Sequence, residues 1–218
     1  MSKNETENCK ASDKKADDLS HAVAALKRGE VIVYPTETLY GLGADALNAA
    51  AVEKVFQLKG RDANNPVPVL IADREMLGAL VAEIPPLAEK LMARFWPGPL
   101  TLVLTARKDI PSALLNADGG IGVRISSQPI ATSLVRTLGH PLTATSANPS
   151  GKKPARTVEQ ARDYFSEKIR VYLDGGTLVS KTGSTVVEIS ANRVRIIREG
   201  EIRKSELQCA VGESEVVR

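Results

Sequence analysis

The sequence contains few residues of the kinds that mark several common protein classes. Only 4% of its 218 residues are aromatic, and it has two cysteines and two histidines. Cys9 and Cys209 lie near opposite ends of the chain, so we expect neither a disulfide framework nor a zinc site, and a reducing compartment is favoured. The sequence also lacks an apolar run long enough to span a membrane and a signal-peptide core. These absences predict a soluble, cytoplasmic protein.

The sequence also lacks the motifs of several enzyme classes. We find no catalytic triad, no cluster of metal ligands, no Walker lysine and no GxGxxG pattern. The protein is therefore expected to supply no metal ligand of its own. The net charge of +3 permits contact with nucleotide phosphates or RNA without requiring it. The remaining cations and hydroxyls suit chemistry by positioning and charge stabilisation, of which phosphoryl or adenylyl transfer is the leading example.

Composition and periodicity predict one folded domain. Residues 1–16 form a polar segment without periodicity and are expected to be a disordered tail, residues 17–202 form the domain, and residues 203–218 form a polar C-terminal tail. Helices and strands alternate early, and strands at 184–189 and 193–198 form a late hairpin. This order predicts an α/β (α+β) fold, with flanking helices on a twisted sheet of mixed parallel and antiparallel strands.

The first candidate site follows a buried strand at residues 31–34. This strand ends in a proline and leads into the polar turn Thr36-Glu37-Thr38. Strand ends of this kind hold ligands in α/β proteins, although a hydroxyl-rich turn also satisfies its own backbone. Further along, Lys59 and Arg61 stand two residues apart at the end of a predicted helix. In an extended loop they would hold one polyphosphate, and otherwise they are solvated cations at a helix C-terminus.

Three later segments add further polar groups at strand ends. A run of small residues contains Ser146 and Asn148, which can donate and accept hydrogen bonds to a nucleotide or form an ordinary turn. Arg124 lies in an otherwise apolar strand, where it needs an internal carboxylate or an anionic substrate as its partner. Ser184 and Arg198 add a hydroxyl and a cation at the ends of the last two predicted core strands.

Seven motifs in register resemble the YrdC/Sua5 family, the threonylcarbamoyl-adenylate synthases of tRNA modification. In chain order they are YPTETLYGLG (34–43), KGR (59–61), WPGPLT (96–101), Val123-Arg124, TSANPSG (145–151), GSTVVEI (183–189) and IIREGEI (196–202). The resemblance covers roughly residues 18–202. It implies a YrdC-like fold of the single-domain type, with a large, concave and basic site.

The resemblance also implies an enzyme. This nucleotidyltransferase would form threonylcarbamoyl-AMP and pyrophosphate from L-threonine, bicarbonate and ATP, and Mg²⁺ would arrive with ATP. A partner transferase would then modify adenosine 37 of tRNA. The roles carried over are catalysis and ATP phosphate binding for Lys59 and Arg61, further ATP contacts for Ser146, Asn148 and Arg198, and threonine binding for Thr36, Arg124 and Ser184. Glu37 and Thr38 are expected only to scaffold their turn.

The sequence departs from the family pattern at three positions. Asp62, Gly120 and Pro154 stand where the family usually has a proline, a hydroxyl residue and a serine. We expect these changes to alter affinity more than activity. Three alternatives stay open: a tRNA- or double-stranded-RNA-binding module with a different or no adenylation substrate, a carbamoyl-adenylate enzyme similar to a domain of hydrogenase-maturation proteins, and a YciO-like paralogue with another substrate.

Overall fold

The computed structural model describes residues 16–60, 66–180, 182–190 and 193–217. The helices are α1 (16–27), α2 (Ala49–Lys59), α3 (Arg74–Leu80), α4 (Pro86–Phe95), α5 (Pro129–Leu138), α6 (Val158–Phe165) and α7 (Lys204–Val211). The strands are β1 (Ile32–Pro35), β2 (Tyr40–Gly43), β3 (Val69–Leu70), β4 (Leu100–Thr105), β5 (Gly120–Arg124), β6 (Leu142–Thr143), β7 (Thr145–Ser146), β8 (Val171–Tyr172), β9 (Thr185–Ser190), β10 (Arg193–Arg198) and β11 (Val216–Val217). The predicted mixed α/β fold is confirmed.

The strands divide into two mixed sheets, whereas the sequence suggested one. The smaller sheet has four strands in the order β7-β2-β1-β8, with β1 antiparallel to β2 and parallel to β8. The larger sheet has seven strands in the order β11-β10-β9-β4-β5-β3-β6. In it, β4 is parallel to β9 and antiparallel to β5, while β9 and β10 form the predicted antiparallel pair. The turn predicted at residues 191–192 lies outside the described residues.

Strand β1 shows how the alternation of side chains divides the apolar interior. Ile32 and Tyr34 belong to one core cluster, together with side chains of α1 and α5. Val33, between them, belongs to a larger core cluster that contains residues of both sheets. Because successive side chains of a strand point to opposite faces, β1 is buried on both sides. The four-stranded sheet therefore carries α1 and α5 on one face and the larger core on the other.

Local signals set the boundaries of helix α2 and the position of Lys59. The Asn48 side chain accepts a hydrogen bond from the Ala51 amide at the N-terminus. Gly60 ends the helix in the left-handed conformation, with φ of 57°. Lys59 is thus the last helical residue rather than part of an extended loop, because the chain leaves the helix only at Gly60.

The folded domain continues past residue 202, where the sequence analysis ended it. Helix α7 places Leu207 and Val211 in the larger core cluster, and β11 pairs in parallel with β10. The prediction of a polar tail over residues 203–218 is therefore wrong for most of this segment. This segment has few apolar residues and its helix is short, so the apolar periodicity is too weak to predict a packed helix from sequence alone. The tail predicted for residues 1–16 lies outside the described residues, apart from residue 16 in α1.

Candidate functional site

Residues of both sheets line one cleft with a volume of about 520 Å³. Its walls come from β1, β2 and β7 of the smaller sheet and from β4, β5, β9 and β10 of the larger one. Among its described lining residues, Lys59, Arg124 and Arg198 are cations and none is an acid. A concave site of this size, with a few convergent polar groups, can hold a small anionic ligand.

Lys59 contacts the segment that carries Ser146 and Asn148. Its side chain is buried, with the residue 4% exposed, and Nζ donates to the carbonyl oxygens of Ser146 at 2.6 Å and Asn148 at 2.9 Å. Nζ also lies 3.4 Å from Ser146 Oγ and from Asn148 Oδ1. The side-chain amide nitrogen of Asn148, Nδ2, donates to the carbonyl oxygens of Pro149 and Lys152, both at 2.8 Å. The structure therefore brings these three predicted residues together, with the Asn148 carboxamide engaged in its own turn.

Arg61 lies outside the described residues, as does Asp62. Their roles stay predictions made from the sequence.

Arg124 has an internal carboxylate as its partner. Its Nη1 lies 3.4 Å from Glu37 Oε1, and the two side chains are only 6% and 15% exposed. Ser126 Oγ donates a hydrogen bond to the other oxygen, Glu37 Oε2. The expectation that Glu37 only scaffolds its turn is wrong, because the carboxylate leaves the turn and reaches the end of β5. Arg124 also lines the cleft, so its position is compatible with a second, incoming anion.

The Thr36 hydroxyl closes the turn between β1 and β2. Thr36 Oγ1 accepts from the backbone amides of Thr38 at 3.2 Å and Leu39 at 3.1 Å, and donates to the Leu39 carbonyl at 2.7 Å. These contacts are those of a hydroxyl-rich turn that satisfies its own backbone. Thr36 and Thr38 both line the cleft. Threonine binding by Thr36 therefore stays a prediction.

Ser184 and Arg198 lie together on the opposite wall. Arg198 Nη2 donates to the Ser184 carbonyl at 2.9 Å and lies 3.2 Å from Ser184 Oγ. The Ser184 hydroxyl is also 3.1 Å from Thr101 Oγ1 on β4. The sequence assigned Arg198 to ATP and Ser184 to threonine; the structure brings the two residues into contact, and both roles stay predictions.

Glycines at the cleft make room for neighbouring side chains. A Cβ atom on Gly41 would lie 3.2 Å from the Tyr34 ring, and one on Gly120 would lie 2.8 Å from Val103 Cγ1 and 3.1 Å from the Asn116 carboxamide. Burial raises the pKa of the Tyr34 hydroxyl, an effect that Arg124 opposes, and this hydroxyl donates to the Thr143 carbonyl at 2.9 Å. At neutral pH it is therefore a hydrogen-bond donor and not a base.

Sequence reasoning missed several polar residues of the cleft, among them Thr101 and Asn116. Thr101 lies in the apolar strand β4, and Asn116 precedes β5 and accepts from the Gly120 amide at 2.6 Å. The signal for Thr101 was a hydroxyl within an apolar strand. Asn116 gave no comparable signal, because its contact with Gly120 appears only in the folded structure.

The described residues contain no group of three or more His, Cys, Asp or Glu side chains that could hold a metal ion. Within the same ranges, no helix is long and apolar enough to cross a membrane.

Two mixed sheets around a cleft lined by two buried cations, Lys59 and Arg124, and by the exposed Arg198 define an α/β protein whose cleft is suited to a small anionic ligand. The model of the Sua5/YciO/YrdC family, described as "Telomere recombination", matches residues 24–200, and the chain belongs to this family. The resemblance found in the sequence motifs is thereby confirmed.

Known proteins are similar to this chain over most of its length. A protein of Mycobacterium tuberculosis called a putative threonylcarbamoyl-AMP synthase is 35% identical over 208 residues, which cover 95% of each chain. The crystal structure of Pyrococcus abyssi Sua5 complexed with L-threonine is 36% identical with a TM-score of 0.87, and the match covers 91% of this chain and 58% of that one. The crystal structure of E. coli YciO is 27% identical in sequence with a TM-score of 0.79, and the match covers 87% of this chain and 92% of the YciO chain.

Proposed function

We propose that the protein is an L-threonylcarbamoyladenylate synthase, which forms threonylcarbamoyl-AMP and pyrophosphate from L-threonine, bicarbonate and ATP. The observation that carries this proposal is the joining of Lys59, Ser146, Arg124 and Arg198 in one cleft. The names of the relatives support it, since one is a putative threonylcarbamoyl-AMP synthase and another was solved with L-threonine. An enzyme that acts by adenylation is a nucleotidyltransferase.

The ATP side of the cleft is assigned to Lys59 and Arg61, with Ser146, Asn148 and Arg198. Lys59 supports this role because its ammonium is held by the two carbonyl oxygens of the 146–148 segment. A cation fixed in this way can face the phosphates without reorganising during the reaction. Arg61 would add a planar guanidinium two residues further along the chain.

The amino-acid side is assigned to Arg124, with Thr36 and Ser184. The guanidinium of Arg124 would bind the threonine carboxylate through paired hydrogen bonds. Hydroxyl groups at Thr36 and Ser184 would contact the amine or the hydroxyl of the substrate, and Thr38 and Thr101 lie close enough to assist.

The reaction is proposed in two steps. The threonine amine attacks the carbon of bicarbonate and gives a carbamate with loss of water. A carbamate oxygen then attacks the α-phosphorus of ATP, the bond between the α-phosphorus and the bridging oxygen breaks, and pyrophosphate leaves with that electron pair. The protein contributes by aligning the attack and by stabilising charge on pyrophosphate through Lys59 and Arg61. It need not supply a strong base.

Mg²⁺ is proposed to enter bound to the ATP phosphates, as hard cations do at triphosphates. The cleft suits such delivery, because its described lining offers cations and hydroxyls rather than carboxylates. The product would pass to a transferase that modifies adenosine 37 of tRNAs reading codons that begin with A. Activity in the cytoplasm and direct contact with tRNA or double-stranded RNA are part of the same proposal.

The experiment is incubation of the protein with ATP, Mg²⁺, bicarbonate and each amino acid in turn, with mass detection of acyl-adenylates. We expect threonylcarbamoyl-AMP and pyrophosphate with threonine, and neither without bicarbonate. An adduct with another amino acid only would support the YciO-like alternative. The absence of any adenylate, with RNA binding that falls steeply as salt rises, would support the RNA-binding alternative.

A further inference from the structure

Glu37 joins the two sheets at the amino-acid side of the cleft. It lies in the turn between β1 and β2, whereas Arg124 is the last residue of β5 in the other sheet. The pair lies at 3.4 Å, with both side chains largely removed from water. A buried guanidinium without a partner is strongly destabilising, so this carboxylate restricts where the Arg124 side chain can lie.

Ser126 holds the second oxygen of the same carboxylate. Its hydroxyl donates to Glu37 Oε2 and accepts from the Gln128 amide at 3.1 Å. Ser126 stands two residues after Arg124, so one short segment provides both partners of Glu37. The Glu37 carboxylate is thereby fixed at Oε2 by a hydrogen bond and at Oε1 by the charge of Arg124.

The contact with Arg124 leaves hydrogen-bonding capacity for a substrate. Within the described part of the chain, the buried Oε1 atom of Glu37 makes no hydrogen bond, so its contact with Nη1 is one of charge alone. A guanidinium has five N–H donors in a planar fork. Because Glu37 balances the charge of Arg124 without accepting a hydrogen bond from Nη1, the N–H donors of the guanidinium remain available to a carboxylate in the cleft.

We propose that Glu37 is a positioning residue that orients Arg124 toward the carboxylate of the amino-acid substrate. The inference rests on the proposed function, in which Arg124 binds the threonine carboxylate. Glu37 does not line the cleft in the described structure, so it acts through Arg124. Its negative charge alone would repel the substrate carboxylate, whereas orientation of the guanidinium favours binding. The two effects predict opposite changes in KM for threonine, and we expect orientation to dominate.

The test compares Glu37→Gln, Ser126→Ala and the double variant by pyrophosphate release, with threonine varied at saturating ATP and bicarbonate. We expect Glu37→Gln to raise KM for threonine about tenfold, the size of effect of one lost charge-assisted contact, with kcat and KM for ATP within about twofold. Ser126→Ala should raise KM for threonine about threefold, because it removes one hydrogen bond to the same carboxylate. The double variant should match Glu37→Gln, because both changes act through one carboxylate.

The matched control is Glu89→Gln, which removes a carboxylate from the exposed ion pair with Arg74 and should leave every constant unchanged. A fall or no change in KM for threonine in Glu37→Gln would overturn the inference, as would additive effects in the double variant. If Glu37→Gln does not fold, Ser126→Ala decides, because it keeps the buried charge pair.

A second measurement separates this inference from the proposed reaction. Threonine should raise the Tm of the unaltered protein, and Glu37→Gln should need about tenfold more threonine for the same rise. Stabilisation by threonine without pyrophosphate release would contradict the proposed reaction. The role of Glu37 would then be decided by comparing the threonine concentrations that raise the Tm of the unaltered protein and of Glu37→Gln. An unaltered protein that threonine does not stabilise would overturn the inference itself.

Discussion

Replacing Lys59 by methionine should weaken both the fold and the reaction. The substitution keeps most of the buried aliphatic stem and removes the ammonium that binds the carbonyl oxygens of Ser146 and Asn148. The Ser146 carbonyl keeps a hydrogen bond from the Asn148 backbone amide, whereas the Asn148 carbonyl loses its lysine donor, so we expect a loss of about 1–3 kcal/mol in the free energy of unfolding. For a domain of this size that corresponds to a fall in Tm of about 2–12 °C.

The effect of Lys59→Met on catalysis is separate from its effect on stability. Losing a fixed cation that stabilises charge in the transition state costs about 3 kcal/mol, which is roughly a hundredfold in kcat. Pyrophosphate release would be measured well below the Tm of the variant, so that unfolding does not contribute.

The matched control is Lys54→Met, the same substitution on the same helix. Lys54 is exposed, and its Nζ donates to the Gly29 carbonyl at 2.7 Å. We expect a stability loss of less than about 1 kcal/mol and unchanged turnover in this control. If Lys59→Met were as stable and as active as Lys54→Met, the assignment of Lys59 to the phosphates and to the 146–148 segment would be refuted.

Three further substitutions test other parts of the structure. Arg124→Lys keeps the charge and loses the planar fork, so KM for threonine should rise at least about tenfold; an unchanged threonine titration would count against carboxylate binding. Thr185→Val removes a buried hydroxyl that accepts from the Gly200 and Ile202 amides and donates to the Ile202 carbonyl, so urea unfolding should show a loss of about 2–4 kcal/mol, and wild-type stability would contradict this. Leu207→Ala should cost about 2–5 kcal/mol, and a loss below about 1 kcal/mol would show that α7 is not part of the core.

Elements with strong local signals could be predicted from the sequence. Helix α5 runs over the predicted residues 129–138, because Gln128 caps its start and Gly139 ends it with φ of 77°. The long strand β4 likewise has its predicted bounds at residues 100–105. Short strands were less well defined. The single strand predicted at 142–145 is divided between β6 and β7, which belong to different sheets.

Contacts between distant parts of the chain could not be predicted. Glu37 was dismissed as turn scaffolding because its partner, Arg124, lies 87 positions further along the sequence and on another sheet. The same applies to Lys59, whose ammonium binds a segment that begins at Ser146. Six of the residues taken from the motifs line the cleft, namely Thr36, Lys59, Arg124, Ser146, Ser184 and Arg198, whereas Asn148 does not, and only the fold shows which of them touch one another.

The central claim is that one cleft binds the threonine carboxylate at Arg124 and the ATP phosphates at Lys59. A crystal structure with L-threonine and a non-hydrolysable ATP analogue tests it most directly. We expect the carboxylate within about 3 Å of the Arg124 guanidinium, with Glu37 still paired to it, and phosphate oxygens within about 3 Å of Lys59 Nζ. A carboxylate bound away from Arg124, or phosphates bound away from Lys59, would contradict the account.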